Sequence, residues 1–247
     1  MRYLVLIFHA PLQSWGSTNL PDVNRESGRN TYLQPTFSGV IGLLRSSLGK
    51  ERTDEEDDLG LKNIRLLTRT DRSGTVVRDY NVAEREHHGY RAGGTKEIPK
   101  YYLEDATFIV LVGHDNPNTI TTLRKALNNP HWAPFLGRRA HVPSLPLCLG
   151  EVETTEPREF LQNLPVIWGA SKITSKTILY TDSEPSDSDV ELNTMVDYPL
   201  EFNPKKVKYA SRTYVKFAQT VSRESSTSQE LLTEVLELKE RLTHAIN

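Results

Sequence analysis

A strand-length apolar run at the N-terminus, two helix-patterned stretches and three further strand-like runs follow one another in the order β-α-β-β-α-β. That order predicts an α+β fold built on a ferredoxin-like (RRM-like) unit. Two bulk observations agree with it. A chain of 247 residues suffices for one large domain or a domain and a half. Its 25% charged and 37% hydrophobic residues fit a globular protein with a real core.

The first strand is expected over residues 3–9, a continuous apolar run rich in β-branched and aromatic residues, as a strand buried on both faces requires. Residues 39–48 place Val40, Ile41, Leu43, Leu44 and Leu48 at helical spacing, with Ser38 as a candidate cap and Gly49 suited to the stop. Residues 64–70 and 107–112 read as the second and third strands. A second helix is expected over 119–127, capped by Asn118, and a fourth strand within 144–152.

Three segments fall outside that unit. Residues 78–105 are a polar insertion with turn signals at Gly89 and Gly93-Gly94, and read as a β-hairpin arm projecting from the sheet. Residues 154–222 carry short strand-like runs (KTILYTD, SRTYVKFA) around an acidic loop, and read as a small β-rich region. From the Thr227-x-x-Glu230 capping pattern onward, Leu231, Val235, Leu238, Leu242 and Ala245 recur every three or four residues. The division expected is therefore 1–153 including the arm, 154–222, and an amphipathic helix within 223–247 behind a serine-rich tether. Such a helix must bury its stripe on its own domain or on a partner.

The net charge of −2 excludes a globally basic nucleic-acid binder but not a local basic face, because charge is segregated. Residues 51–58 and 182–189 are acidic; residues 85–100 and 137–141 are mostly cationic. The single Cys148 excludes an internal disulfide and a cysteine-rich zinc site. The N-terminal apolar run is too short for a signal peptide or a membrane span, so a cytoplasmic protein with no membrane partner is expected. No phosphate loop, HExxH, GxSxG or GxGxxG pattern occurs, and no cofactor, metal site or catalytic residue is assigned.

The cations carry more information. Across the arm Arg78, Arg85, Arg91, Lys96 and Lys100 interleave with Tyr80, Tyr90, Tyr101 and Tyr102. Cations for phosphates beside rings for bases are what single-stranded RNA recognition needs; the alternative is a solvated hairpin paired to its own acidic residues. "LGRRAHVP" sets Arg138 and Arg139 directly after a glycine, where guanidinia can grip a phosphate. "APLQSWGS" places Gln13, Ser14, Trp15 and Gly16 just beyond the first strand, with Trp15 either stacking on a base or plugging the core. Thr36, Ser38 and Gly39 open the first helix behind Arg25 and Arg29, and a helix N-terminus is a natural anion site.

These stretches together carry a resemblance. "HAPLQSWGS", "PTFSGVIGLLRSSLG", "RDYNVAEREHHGYRAGGTKEIPKYYLEDATFIVLV", "PFLGRRAHVPSLPLCLG" and "YASRTYVKF" occur in the order seen in the Cas-five family (RAMP superfamily) of the type I-E CRISPR Cascade complex, over roughly residues 3–222. The resemblance implies a RAMP fold with a long thumb hairpin. It implies a non-catalytic subunit that holds the crRNA 5′ handle and caps the complex in antiviral defence. Its partners would be the backbone subunit CasC and the large subunit CasA, with target DNA reached indirectly. Carried over by position, Gln13, Ser14, Trp15, Gly16, Thr36, Ser38, Gly39, Arg138 and Arg139 would line the handle site, with Arg78, Tyr80, Arg91, Lys96 and Tyr101 on the thumb. Arg25, Arg29 and Arg45 complete the expected RNA-binding set. Phe37 departs from the family, which often has a basic residue there, and the tail beyond Glu224 lies outside the pattern. The type I-C branch, whose Cas-five protein cuts precursor RNA, supplies the alternative: a metal-independent endoribonuclease drawing on His87, His88, Tyr80 or Tyr90.

Overall fold

The computed structural model describes residues 1–16, 30–87, 90–167, 173–182, 191–201, 208–223 and 228–244. Strand β1 (Arg2–His9) lies between β8 (Thr107–His114) and β9 (Cys148–Glu153), antiparallel to both. Beyond β8 comes β3 (Arg65–Arg72), so these four strands stand in the order β9-β1-β8-β3. The alternation of β1 explains its unbroken apolar run. Leu4, Leu6 and Phe8 enter one core, whereas Tyr3, Val5 and Ile7 enter another on the opposite face.

The first core is roofed by helices α1 (Phe37–Ser47) and α2 (Pro117–Asn128), which contribute Val40, Ile41, Leu44, Ile120 and Leu123. Both helices begin two residues ahead of the expected start. For α1 the cap is Thr36 rather than Ser38, its hydroxyl accepting from the Gly39 N–H at 3.2 Å. For α2 the cap is Asn116, with Pro117 in the first turn where its missing N–H costs nothing.

Three long strands widen the same sheet. β10 (Ile173–Asp182) pairs with β3, β12 (Lys208–Arg223) with β10, and β11 (Leu192–Glu201) with β12, giving seven strands in the order β11-β12-β10-β3-β8-β1-β9. Between β3 and β8 the arm rises as two stacked pieces. At its base β7 (Lys100–Glu104) pairs with β4 (Thr75–Asp79) on one side and with the short β2 (Leu12–Gln13) on the other; its outer part is the pair β5 (Val82–His87) and β6 (Tyr90–Glu97).

On the second face, the part of the sheet formed by β9, β1, β8 and β3 is covered by a short helix, α3 (Pro157–Asn163), and by the tail helix, α4 (Ser228–His244). Val235, Leu238 and Leu242 of α4 join Leu161 of α3 and Val5, Ile7, Ile109, Leu111 and Leu149 of the sheet in one buried cluster. The helix approaches so closely at Gly150 that an added Cβ there would stand 2.8 Å from the Cβ of Leu242. The tail helix thus packs on its own domain. Thr227 and Ala245, expected at its two ends, lie outside the described residues. A buried ion pair pins α3: Arg69 grips Asp71 and donates to the carbonyls of Leu161, Leu164 and Pro165, and the Ile167 N–H donates to Asp71 at 2.7 Å.

Candidate nucleic-acid interface

The turn after β1 is fastened from inside. Trp15 is 1% exposed, stacked on Phe8 at 5.3 Å and edge-on to Phe108 at 6.5 Å. Its indole N–H donates to the Gln13 side-chain oxygen at 3.2 Å, and the Gln13 amide donates to the Ala106 carbonyl at 2.7 Å. Both side chains therefore serve the core, as does the buried Ser14; of residues 13–16 only Gly16 is exposed. What the turn contributes is placement. Trp15 N–H donates to the Thr31 hydroxyl at 2.8 Å and Tyr32 N–H to the Trp15 carbonyl at 2.7 Å, tying the turn to the segment that leads into α1.

The 136–141 loop is held against the same turn. Ser14 N–H donates to the Leu136 carbonyl at 3.1 Å, and two further backbone bonds, Leu136 to His141 and His141 to Arg138, close the loop on itself. Gly137 has φ +91°, and a Cβ on it would fall 1.6 Å from the Ser14 carbonyl oxygen, so no other residue fits between them. The glycine before the two arginines is thereby explained.

The start of α1 does face an anion, and that anion is the chain's own. Phe37 N–H donates to the Asp197 carboxylate at 2.7 Å. Asp197, 1% exposed, also accepts from Arg212 at 3.1 and 3.0 Å, and Arg212 bridges on to Asp182. Burial opposes the Arg212 charge, but hydrogen bonds and Coulombic attraction from Asp197 and Asp182 outweigh it and raise its pKa. Phe37 stacks on Tyr198 at 5.3 Å with Arg212 5.5 Å from its ring centroid, so the position where the resembling family often has a cation is here part of an aromatic and ionic plug. Thr36 is buried as the cap; Ser38 and Gly39 are partly exposed.

Arg45 is also committed. It is 5% exposed and donates to the carbonyls of Glu51, Asp54 and Glu56, bracing the acidic loop that follows α1. Arg25 and Arg29 lie outside the described residues, as do the side chains of Arg91, Lys96, His87 and Tyr90 and the whole of His88.

At the arm base, residues directly opposite share a face. Arg78 faces Tyr101, and Val77 faces Tyr102, so Tyr101 and Tyr102 point to opposite faces. Arg78 is exposed and Tyr101 half-buried. On the other face the Arg138 guanidinium sits 4.3 Å from the Tyr102 ring centroid, and His141 meets the same ring edge-on at 5.0 Å. Burial, assisted by the charge of Arg138, lowers the pKa of His141, although its bond to the Leu136 carbonyl works the other way. Arg139 beside it is exposed. The Tyr102 hydroxyl donates to Asp79 at 3.3 Å, Asn81 donates to the same carboxylate at 2.8 Å, and Lys100 donates to Asn81 at 3.1 Å. Tyr80, 57% exposed, donates to Glu97 at 2.8 Å, which holds its phenolic proton more firmly than usual.

The 13–16 turn, the 136–141 loop and the arm base thus meet at one place, with Gly16, Arg138, Arg139 and Tyr102 around it. Arg78 and Tyr101 stand on the far face of the arm, and Arg45 belongs to another part of the molecule. Reading the sequence for cations and rings singled out neither Asp197, Arg212 nor His141 as a structural contributor. The one signal for them was Arg212 inside "YASRTYVKF". Among the described residues no group of three or more His, Cys, Asp or Glu side chains could hold a metal ion, and no helix is long and apolar enough to cross a membrane.

Comparison with known proteins gives a consistent result. A family profile described as CRISPR-associated protein (Cas_Cas5) matches residues 3–215. The CRISPR system Cascade subunit CasD of Escherichia coli (strain K12) is 32% identical over 181 residues, covering 68% of this chain and 79% of CasD. A chain of a CRISPR RNA-guided surveillance complex superposes with a TM-score of 0.78 at 24% identity, over 96% of this chain and 99% of that one. A crystal structure of a Cas protein superposes with a TM-score of 0.63 at 26% identity, over 89% and 95% of the two chains.

Proposed function

The chain belongs to the Cas5 family of CRISPR-associated proteins, and from that premise we propose that it is a non-catalytic RNA-binding subunit of a CRISPR surveillance complex. It holds the 5′ handle of the guide RNA and caps the complex beside a backbone subunit of the CasC kind and a large subunit of the CasA kind. One observation supports this most: the 136–141 loop presents Arg138 and Arg139 from a backbone locked to the β2 turn and the arm base. Guanidinia on a fixed loop suit backbone phosphates, which position an RNA without reading its bases.

Burial narrows the set of contacts proposed. Gln13, Ser14, Trp15, Thr36 and Arg45 support the surface, while Gly16, Ser38, Gly39, Arg78, Tyr80, Tyr101, Arg138 and Arg139 remain as proposed contacts. Arg25, Arg29, Arg91 and Lys96 are proposed from sequence alone.

The test is titration of labelled crRNA with purified protein across a salt series, alongside incubation of precursor repeat RNA in EDTA. The expected result is binding without cleavage. In the Arg138→Ala, Arg139→Ala variant the log–log salt slope is expected to fall by ~0.7 for each phosphate that the variant no longer neutralises. An unchanged slope makes the pair structural. Discrete cleavage at the handle base would establish the ribonuclease reading instead.

A further inference from the structure

We propose that Tyr102 is a positioning residue for the RNA clamp, aiming Arg138 and coupling it to the base of the arm. The inference rests on the reading of Arg138 as a phosphate contact. Three groups fix the one ring: Arg138 over its face at 4.3 Å, His141 at its edge at 5.0 Å, and Asp79 receiving its hydroxyl at 3.3 Å.

The chemistry follows from those contacts. An arginine on a loop samples many rotamers, and immobilising it on binding costs affinity. Arg138 is partly exposed with its Nη1 buried, so a guanidinium already stacked on the ring has little freedom left to lose when its remaining edge meets a phosphate. Being half-buried, Tyr102 cannot itself present a full face to a base. Its hydroxyl meanwhile reads the arm. Asp79 is the last residue of β4, and its carboxylate also holds Asn81, which in turn accepts from Lys100 at the first residue of β7. That is where the hairpin passes from the base sheet to the outer pair. The ring thus stands between the loop that would grip the handle and the point from which the outer arm departs.

The experiment is a mutant cycle on crRNA affinity and its salt slope, with Arg138→Ala, Tyr102→Leu, Tyr102→Phe and the Arg138→Ala, Tyr102→Leu double variant. Tyr102→Leu keeps the charge of Arg138 but removes its platform. It is expected to weaken binding about two- to fivefold and to lower the salt slope, as cation–π energies at partly exposed sites imply. On the Arg138→Ala background the same change is expected to cost nothing further. Tyr102→Phe, which keeps the stack but loses the bond to Asp79, is expected to bind with an unaltered slope and a smaller loss of affinity than Tyr102→Leu; affinity equal to wild type overturns the coupling to the arm.

Equal losses from Tyr102→Leu on both backgrounds overturn the positioning role while leaving Arg138 as a contact. If Arg138→Ala changes neither affinity nor slope, the reading of Arg138 and this inference fall together. Should Tyr102→Leu fail to fold, the wild-type protein supplies the decisive measurement. The Arg138 Nε–H resonance, assigned by Arg138→Lys, is expected upfield from the ring current; a random-coil shift overturns the proposal.

Discussion

Asp197 neutralises two positive groups at once, the first N–H of α1 and the Arg212 guanidinium, and does so almost wholly out of water. Such an arrangement is costly to break from one side, because the remaining cation keeps its desolvation cost and is left with Asp182 alone. Asp197→Ala is expected to lower unfolding stability by about 3 kcal/mol, seen as a shifted denaturant midpoint at constant m. Asp197→Asn, which keeps an acceptor for Phe37, is expected to cost less. A change below about 0.5 kcal/mol for the alanine variant would show that Arg212 and the helix start are satisfied elsewhere. The sequence made a helix-terminal anion site legible, because Thr36, Ser38 and Gly39 precede an apolar 3.6-residue pattern. It could not reveal the anion, which arrives from 160 residues away. Gln13 and Trp15 show the same limit. Their types suit RNA contact, but the partners that bury them, Ala106 and Phe108, are set by the pairing of β1 with β8.

At the scale of elements, those governed by local pattern were legible. The runs of β1 and β8 are apolar on both faces, and α1 and α2 carry clean stripes. β11 was not, since it holds the buried Asp197 and a proline and is broken by register shifts at Val196/Tyr198 and Pro199/Glu201. The seven-residue α3 was not either, because its end is held by Arg69 from a distant strand. The tail helix is the element whose stripe was visible but whose destination was not. With Val235, Leu238 and Leu242 against Leu149 and Ile7, truncation after Arg223 is expected to uncover the second core and lower the Tm of the isolated protein. If ~2 kcal/mol of net stability is lost, the fall is about 4–8 °C for a chain of this size. An unchanged Tm would mean that this packing contributes nothing measurable. Gly150→Val, which drives a side chain into Leu242, is expected to act in the same direction.

For the whole molecule, the covering of both faces at β9, β1, β8 and β3 bears on where the proposed RNA path can lie. Where one face of such a sheet is open, its aromatic residues can stack on bases. Here α3 and α4 cover that face at β9, β1, β8 and β3, where Tyr3 is 1% exposed, so the proposed contacts fall on loops, the start of α1 and the arm. Among the described residues, the two cores take Leu103 and Ala106 from the arm and its junction with β8. The outer hairpin pairs only β5 with β6, each of which joins no other strand among the described residues, so its removal tests whether folding needs it. Replacing residues 86–97 by a Gly-Gly turn is expected to leave a folded protein that melts in one cooperative transition, since the strands removed pair only with each other. The same variant is expected to form a surveillance complex that dissociates more readily and binds target DNA poorly. Native electrophoresis of the reconstituted complex, followed by target-binding titration, checks this. Normal assembly and target binding by the shortened protein would remove the arm from the RNA path and leave Arg138 and Arg139 as the part of the site still to be tested.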